Sequence, residues 1–228
     1  MGRAFEYRRA AKEKRWDKMS KTFPKLARSI TMAAKGGGTD PDSNHALRTA
    51  VANAKAENMP KDNIDKAIKR AEGKDGDSYA EINYEGKGPH GVLVFIETAT
   101  DNTNRTVANL KVVFSRNGGE LVQTGSLEFL FSRKAEIQFP VVEGMDLEEI
   151  ELELIDHGLE ELTVNDGVAY AQGDYTAFGS LAGAVEKMGI ENVRSKLLRV
   201  PTSPVELSEE QMDEVEVMID KLEDDEDV

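Results

Sequence analysis

The chain has 228 residues, 32% of them charged, with no cysteine and a net charge of −14. That length exceeds what a disulfide-stapled miniprotein needs, and the lack of cysteine excludes disulfides, thiolate zinc sites and cysteine nucleophiles. No apolar run approaches a membrane span, and Met1 to Trp16 lacks the apolar stretch of a secretory signal, so a cytoplasmic protein without membrane contact is expected. Glu6, Glu13 and Asp17 also break the acid-poor composition of a mitochondrial presequence.

The mean charge would repel phosphates, but it conceals a division. Residues 1–74 carry 18 Lys and Arg against 9 Asp and Glu, a net of +9, whereas residues 75–228 carry 11 against 34, a net of −23. Such asymmetry between adjacent segments marks a separate basic interaction module and places the first boundary near Gly73.

The basic part reads as four helical segments. The first, Phe5 to Lys18, is polar almost throughout and forms a loosely held arm. The second begins after a Ser20 cap and aligns Phe23, Leu26, Ala27, Ile30, Ala33 and Ala34 on one stripe, with Lys21, Lys25 and Arg28 on the opposite face. Gly36, Gly37 and Gly38 end it, and residues 39–43 form a turn-rich connection. The third packs through Leu47, Ala50, Val51 and Ala54. Pro60 opens the fourth, whose stripe is Ile64, Ala67, Ile68 and Ala71 before Gly73 closes it.

Beyond Tyr79 the pattern becomes mixed. Ile82 and Tyr84 mark a short strand, Gly86 to Gly91 a turn, and Val92 to Ile96 a buried strand. Thr103 to Asn117 suits a helix stopped by Gly118 and Gly119, and Leu127 to Phe131 with Ala135 to Phe139 reads as a hairpin. After Pro140 the spacing predicts a helix from Asp146 to Asp156, strands at 159–164 and 168–171, a helix from Thr176 to Lys187 and a strand near Val193 to Val200. Ser208 to Leu222 forms a final helix with a Ser208/Gln211 capping box, followed by an Asp-Glu run expected to be a solvated tail. The fold class is α+β and multi-domain: a helical bundle, then two small α/β sandwich-like domains.

Ala33-Ala34-Lys35-Gly36-Gly37-Gly38 with Asp40-Pro41-Asp42, Asn58-Met59-Pro60-Lys61-Asp62-Asn63-Ile64, Tyr84-Glu85-Gly86 and Asp101-Asn102-Thr103-Asn104-Arg105-Thr106-Val107 form an ordered set. That set resembles the YebC/PmpR family of probable transcriptional regulatory proteins, whose mitochondrial relative is a translational activator of a cytochrome oxidase subunit. The resemblance implies three domains: 1–75; 76–139, completed by the last helix at 205–228; and 140–204. It departs at the N-terminus, where tryptophan comes late, at Trp16, and in the loop, which carries Thr39.

Phosphate contacts are expected from Arg8, Arg9, Lys12 and Arg15 of the first segment, from Lys21, Lys25 and Arg28 of the second, and from Lys35 beside the glycines. Solubilising charge is the bland alternative, but acid already solubilises the rest of the chain. With five to seven cations engaged on duplex DNA, log K falls with log salt at a slope of roughly −5 to −6. The three glycines read as a helix stop, since the Lys-Ser/Thr ending of a P-loop is missing; no nucleotide, metal or other cofactor site is expected. Asn104 and Arg105 are secondary nucleic-acid candidates, in a stretch where Asn102 or Thr103 caps a helix and Asp101 pairs with Arg105.

His45, His90 and His157 lie in different segments and outside any nucleophile elbow, so no enzyme is expected. Two functions fit: a DNA-binding transcriptional regulator, and a ribosome-associated factor contacting rRNA or tRNA that relieves stalling at difficult peptide sequences. Asp62 and Asp65 stand where a recognition helix would read bases, which favours phosphate-driven binding over sequence readout. A monomer is expected, with a basic protein as a possible partner of the acidic domains.

Overall fold

The computed structural model describes residues 3–73, 79–203 and 205–228, with side chains from Ser20 onward. Among them are seven α-helices and two antiparallel sheets. The basic part contributes α1 (Arg3–Gly37), α2 (His45–Ala56) and α3 (Lys61–Glu72). The two segments expected on either side of Ser20 are one 35-residue helix. Ser20 is interior to it, and so is Pro24, whose ring removes one backbone donor from the helix. Gly38, at φ 94°, ends α1 by donating its N–H to the Ala34 carbonyl, as a helix stop requires.

Ile30, Ala34, Leu47, Ala54, Met59, Ile64 and Ala67 close the helical core. Thr31 is buried among them, its hydroxyl donating to the Ala67 carbonyl at 2.9 Å. Asn44 caps α2 and uses its side-chain amide to hold the α1 end, donating to the carbonyls of Ala33 and Gly38. One buried amide thus fixes the angle between the first two helices.

The first sheet has the order β2-β1-β3 from β1 (Ala80–Lys87), β2 (Leu93–Thr100) and β3 (Glu120–Val122). Helix α4 (Thr103–Arg116) and the last helix, α7 (Glu209–Glu223), cover it: Leu110 and Phe114 meet Ile96, Met218 and Leu222 in one core. The Ser208/Gln211 capping box is present at the start of α7. Buried Glu85 accepts backbone N–H bonds from Gly125 and Leu127, pinning the loop that leaves this sheet.

The second sheet has the order β5-β6-β4-β7, built from β4 (Phe131–Pro140), β5 (Leu159–Asn165), β6 (Val168–Asp174) and β7 (Arg194–Pro201). The hairpin expected across 127–139 is therefore absent: residues 128–130 form a single 3-10 turn, and Phe131 to Pro140 is one strand pairing β6 on one side and β7 on the other. The change of sheet falls between Val122 and Phe131, before Pro140. Ala135, Ile137 and Phe139 turn one face of β4 toward α5 (Leu147–Ile155) and α6 (Phe178–Lys187), where Leu154, Leu181 and Val185 complete the core. The helical part touches this unit through Asn53 of α2, which both donates to the Ser195 carbonyl and accepts from the Ser195 N–H at 2.8 Å, acting as a one-residue strand on β7.

Phe114 is the test of the first core. Replacing it with alanine should lower the unfolding free energy by about 3–5 kcal/mol in urea denaturation. A Cβ on Gly86 would stand 2.3 Å from Phe114 Cζ, so Gly86→Ala alone should cost about 1–3 kcal/mol. Together the two should cost less than their sum, because the cavity left by the ring accepts the added methyl; full additivity would mean that the Gly86 penalty has another origin.

Candidate nucleic-acid interface

Opposite its packing stripe, α1 presents Lys21, Lys25 and Arg28 at helical spacing. This face is only partly open to solvent, with Lys21 half exposed. It meets the segment that follows α7, which crosses over α1 and the edge of β2. The Lys21 ammonium lies 2.7 Å from Asp224, Lys25 donates to the Glu223 carbonyl at 2.5 Å, and Arg28 donates to the carbonyls of Ala99 and Glu226, both at 2.6 Å, and to Asp227 at 3.1 Å. The Arg28 guanidinium also lies over the Tyr79 ring, 4.8 Å from its centroid. The acidic run expected as a solvated tail is an ordered element of the fold, and its Asp227 is only 2% exposed.

Asp227 is the centre of the arrangement. Its carboxylate accepts from Arg105 Nη2 at 2.8 Å, from the Thr106 hydroxyl at 2.8 Å, from the Thr100 hydroxyl at 3.1 Å and from Arg28. Its own carbonyl accepts the Ala99 N–H, adding a backbone bond to β2. Burial opposes ionisation of this carboxyl, but the bonds from Arg105, Thr106 and Thr100 and the Arg105 charge together outweigh it and hold it below the ordinary carboxylate value. The hydrogen bonds of Arg105 to Asp227 and to Asp101 in turn raise the guanidinium. At Lys25 desolvation is the larger effect and lowers the ammonium, with the charges of Glu223, Asp225 and Asp224 opposing it.

The remaining candidates are distributed differently. Arg8, Arg9, Lys12 and Arg15 belong to the backbone of α1, and their side chains lie outside the described residues. Lys35 is exposed in the last turn of α1. Asn102 caps α4 and Asp101 pairs with Arg105 at 2.8 Å, as the sequence indicates, but Arg105 turns mainly onto Asp227, whereas Asn104 is exposed. The residues that complete the site and escape a reading of the sequence are Thr100, Thr106, Asn109 and Asp227. Asn109 donates to Asp225 at 2.8 Å. The available signal was the complementarity between a basic helix and an acidic C-terminus, and nothing in a linear pattern registers those two segments against each other.

Between α1, the first sheet and the second sheet lies a cleft of about 590 Å³, with Lys25, Arg28, Arg133 and Arg199 set against Glu81 and Glu97. Arg199 spans both sheet units, bonding Glu97 and Glu128 while stacking on Phe95. Elsewhere His157 Nδ1 lies 2.9 Å from the Ser180 hydroxyl, and its Nε2 is 3.7 Å from Glu153, too far for a hydrogen bond. With Ser180 and Glu153 exposed, this set is a surface polar contact between α5 and α6. Among the described residues no group of three or more potential ligands is placed to hold a metal ion, and no helix is long and apolar enough to cross a membrane.

These features define a class: a basic helical unit clasped through its first helix onto one antiparallel sheet unit and joined through its second helix to another, both of acidic composition. Residues 3–74 match the family model for the TACO1/YebC protein N-terminal domain, and residues 79–228 match the model for the TACO1/YebC second and third domain. The chain belongs to the TACO1/YebC family. Proteins called probable transcriptional regulatory protein from Wolinella succinogenes and Campylobacter curvus are 62% and 60% identical to it, each alignment covering 100% of this chain and 97% of the relative. A crystal structure of a conserved hypothetical protein from Aquifex aeolicus superposes with a TM-score of 0.81 at 34% identity, covering 92% of this chain and 86% of that one.

Neutralising the clasp has two expected consequences. Asp227→Asn leaves Arg28 and Arg105 without their shared counter-charge; because Arg105 is 46% exposed, the loss should be about 2–3 kcal/mol, below that of a fully buried pair. Since the folded carboxyl titrates below its unfolded value near 3.9, its contribution is complete above about pH 4 and disappears as the pH falls through the folded value. The difference in stability between wild type and Asp227→Asn, followed by thermal denaturation, should therefore shrink below pH 4; a difference constant down to pH 2 would show that the charge is not what holds the segment.

Proposed function

We propose that this protein is a non-enzymatic, nucleic-acid-binding regulator of gene expression that engages phosphates through its basic helical part and acts as a monomer. The observation that carries this reading is the agreement of charge with architecture. The excess of cations falls within the segment that folds as α1 to α3, and the sheet units hold the acid. Cations needed only for solubility would have no reason to concentrate in one unit of an acidic protein. The names of the relatives support a regulatory role and make DNA the first target to test.

A second reading, a translation factor working on rRNA or tRNA at the ribosome, is favoured by one feature of α3. Asp62 and Asp65 are exposed in its first turns, the positions from which a recognition helix reads base edges. Carboxylates there disfavour duplex readout and leave backbone and shape recognition. The acidic sheet units would then remain outside while the helical part enters an RNA-rich surface.

The experiment compares wild type with an Arg8, Arg9, Lys12, Arg15 quadruple alanine variant, which leaves the clasp residues untouched. Affinity for a 20-base-pair duplex and for a hairpin RNA is measured by fluorescence anisotropy across a salt series. Co-sedimentation with ribosomes is measured in parallel, with the duplex as competitor. The variant should lose affinity and its salt slope should flatten by roughly 3 to 4 on the duplex. Unchanged slopes would refute phosphate binding by the first half of α1. Retention on ribosomes that duplex cannot compete away would select the translational reading.

A further inference from the structure

The geometry points to an internal competitor at the proposed phosphate contacts: the row Lys21, Lys25 and Arg28, continued by Arg105 and the hydroxyls of Thr100 and Thr106, is occupied by the acidic segment 223–227 as a substitute for nucleic acid. The inference rests on the proposed nucleic-acid reading and extends it from α1 onto the middle of the molecule.

The chemistry of the row is that of a polyanion groove. Three cations stand one helical turn apart along α1, and Arg105 continues them from α4. What they hold is a chain of oxygens: the carboxylates of Asp224 and Asp227 and the carbonyls of Glu223 and Glu226. Arg105 grips Asp227 through Nη2 and Nε in the planar fork that also fits a phosphate, and the two threonine hydroxyls complete the oxygen shell as they would around a phosphodiester. Asn109 adds a donor to Asp225, so each residue from 223 to 227 has a partner supplied by α1, α4 or β2. The donors are numerous, charged and aligned, whereas the segment contributes almost no apolar surface: Glu226 and Asp224 are exposed. Such a contact is held by charge and is weakened by whatever brings a denser array of anions to the same donors.

Two neighbours set the direction of the exchange. The cleft of about 590 Å³ beside Arg28 opens to solvent and carries Arg133 beyond the clasp, while Arg199 there is held by Glu97 and Glu128. The segment follows α7, whose Met218 and Leu222 sit in the core of the first sheet unit, so its release gives up the packing of Val228 on that core and the Ala99–Asp227 backbone bond but leaves the anchoring side chains of α7 in place. Nucleic acid and segment 224–227 therefore compete for the same donors, and binding exposes the row by displacing the segment.

Three variants test this, each checked for a cooperative thermal transition: Asp224→Asn/Asp225→Asn/Glu226→Gln, Asp227→Asn, and a control on the exposed face of α7 that matches the charge change of the first, Glu210→Gln/Asp213→Asn/Glu216→Gln. The probes are a 20-base-pair duplex and a hairpin RNA at 150 mM salt. Both clasp variants should bind at least one probe about 5- to 10-fold more tightly than wild type, and more tightly than the control. Adding Arg105→Gln to Asp227→Asn should reverse most of the gain. Because the chain has no cysteine, Ser29→Cys/Glu226→Cys can also be closed with a short bismaleimide, and the closed protein should bind at least tenfold more weakly than the same protein unlinked. Equal gains in clasp and control variants, or full binding by the linked protein, would overturn the competition while leaving nucleic-acid binding itself in place. Failure of wild type and every variant to bind either probe would overturn both.

Discussion

A single buried carboxylate ties together parts of the chain that are far apart in sequence. Asp227 is reached by Arg28 from α1, by Thr100 from the end of β2 and by Arg105 and Thr106 from the start of α4, so helical part, sheet and C-terminus converge on two oxygens. Burying a carboxylate is unfavourable unless its lone pairs are filled, and here donors from three elements fill them. The consequence is orientational. Each donor approaches from a fixed backbone, so α1 can take only one position against the first sheet unit while the bonds last.

The helical part has a second, independent attachment. Asn53 continues the pairing of β7 with a side-chain amide, and Arg194 reaches back to Glu57 at 3.1 Å. These contacts are polar and small compared with the apolar cores inside each unit, which are closed by Leu47 and Ile64 in the helices, Phe114 and Met218 in the first sheet unit, and Phe139 and Leu181 in the second. Units with separate cores joined by polar clasps resist unfolding individually and yield first at their junctions. For a protein that places a basic helix against an acidic segment, the junction is also where a polyanion acts most strongly, so stability and the proposed binding draw on the same groups.

Much of the architecture was legible in the residues. The α2 and α3 stripes, the Gly38 stop, the Asn102 cap and the Ser208/Gln211 capping box depend on neighbours within a few positions, and the structure carries them as read. Errors arose where the local pattern was outvoted. Ser20 is a good cap by type, yet α1 passes through it because the flanking turns are helical on both sides. Leu127 to Phe131 and Ala135 to Phe139 read as the two arms of a hairpin; β4 instead carries Phe131 and Ala135 to Phe139 in one strand because β6 and β7 pair it on either side.

The sequence by itself determined the identity of most helices and strands, the separation of basic from acidic segments and the cations available for phosphate, since composition and short-range periodicity encode those. Only the tertiary structure decided what those cations face. Lys21, Lys25 and Arg28 lie opposite the packing stripe of α1 in any helix, but that they meet residues 223–227 depends on contacts nearly 200 positions apart in the chain. Such contacts leave no period or motif, because a carboxylate in a solvated tail and one at the centre of a buried clasp are the same residue type. Burial and the donors around it, which the fold alone assembles, distinguish them.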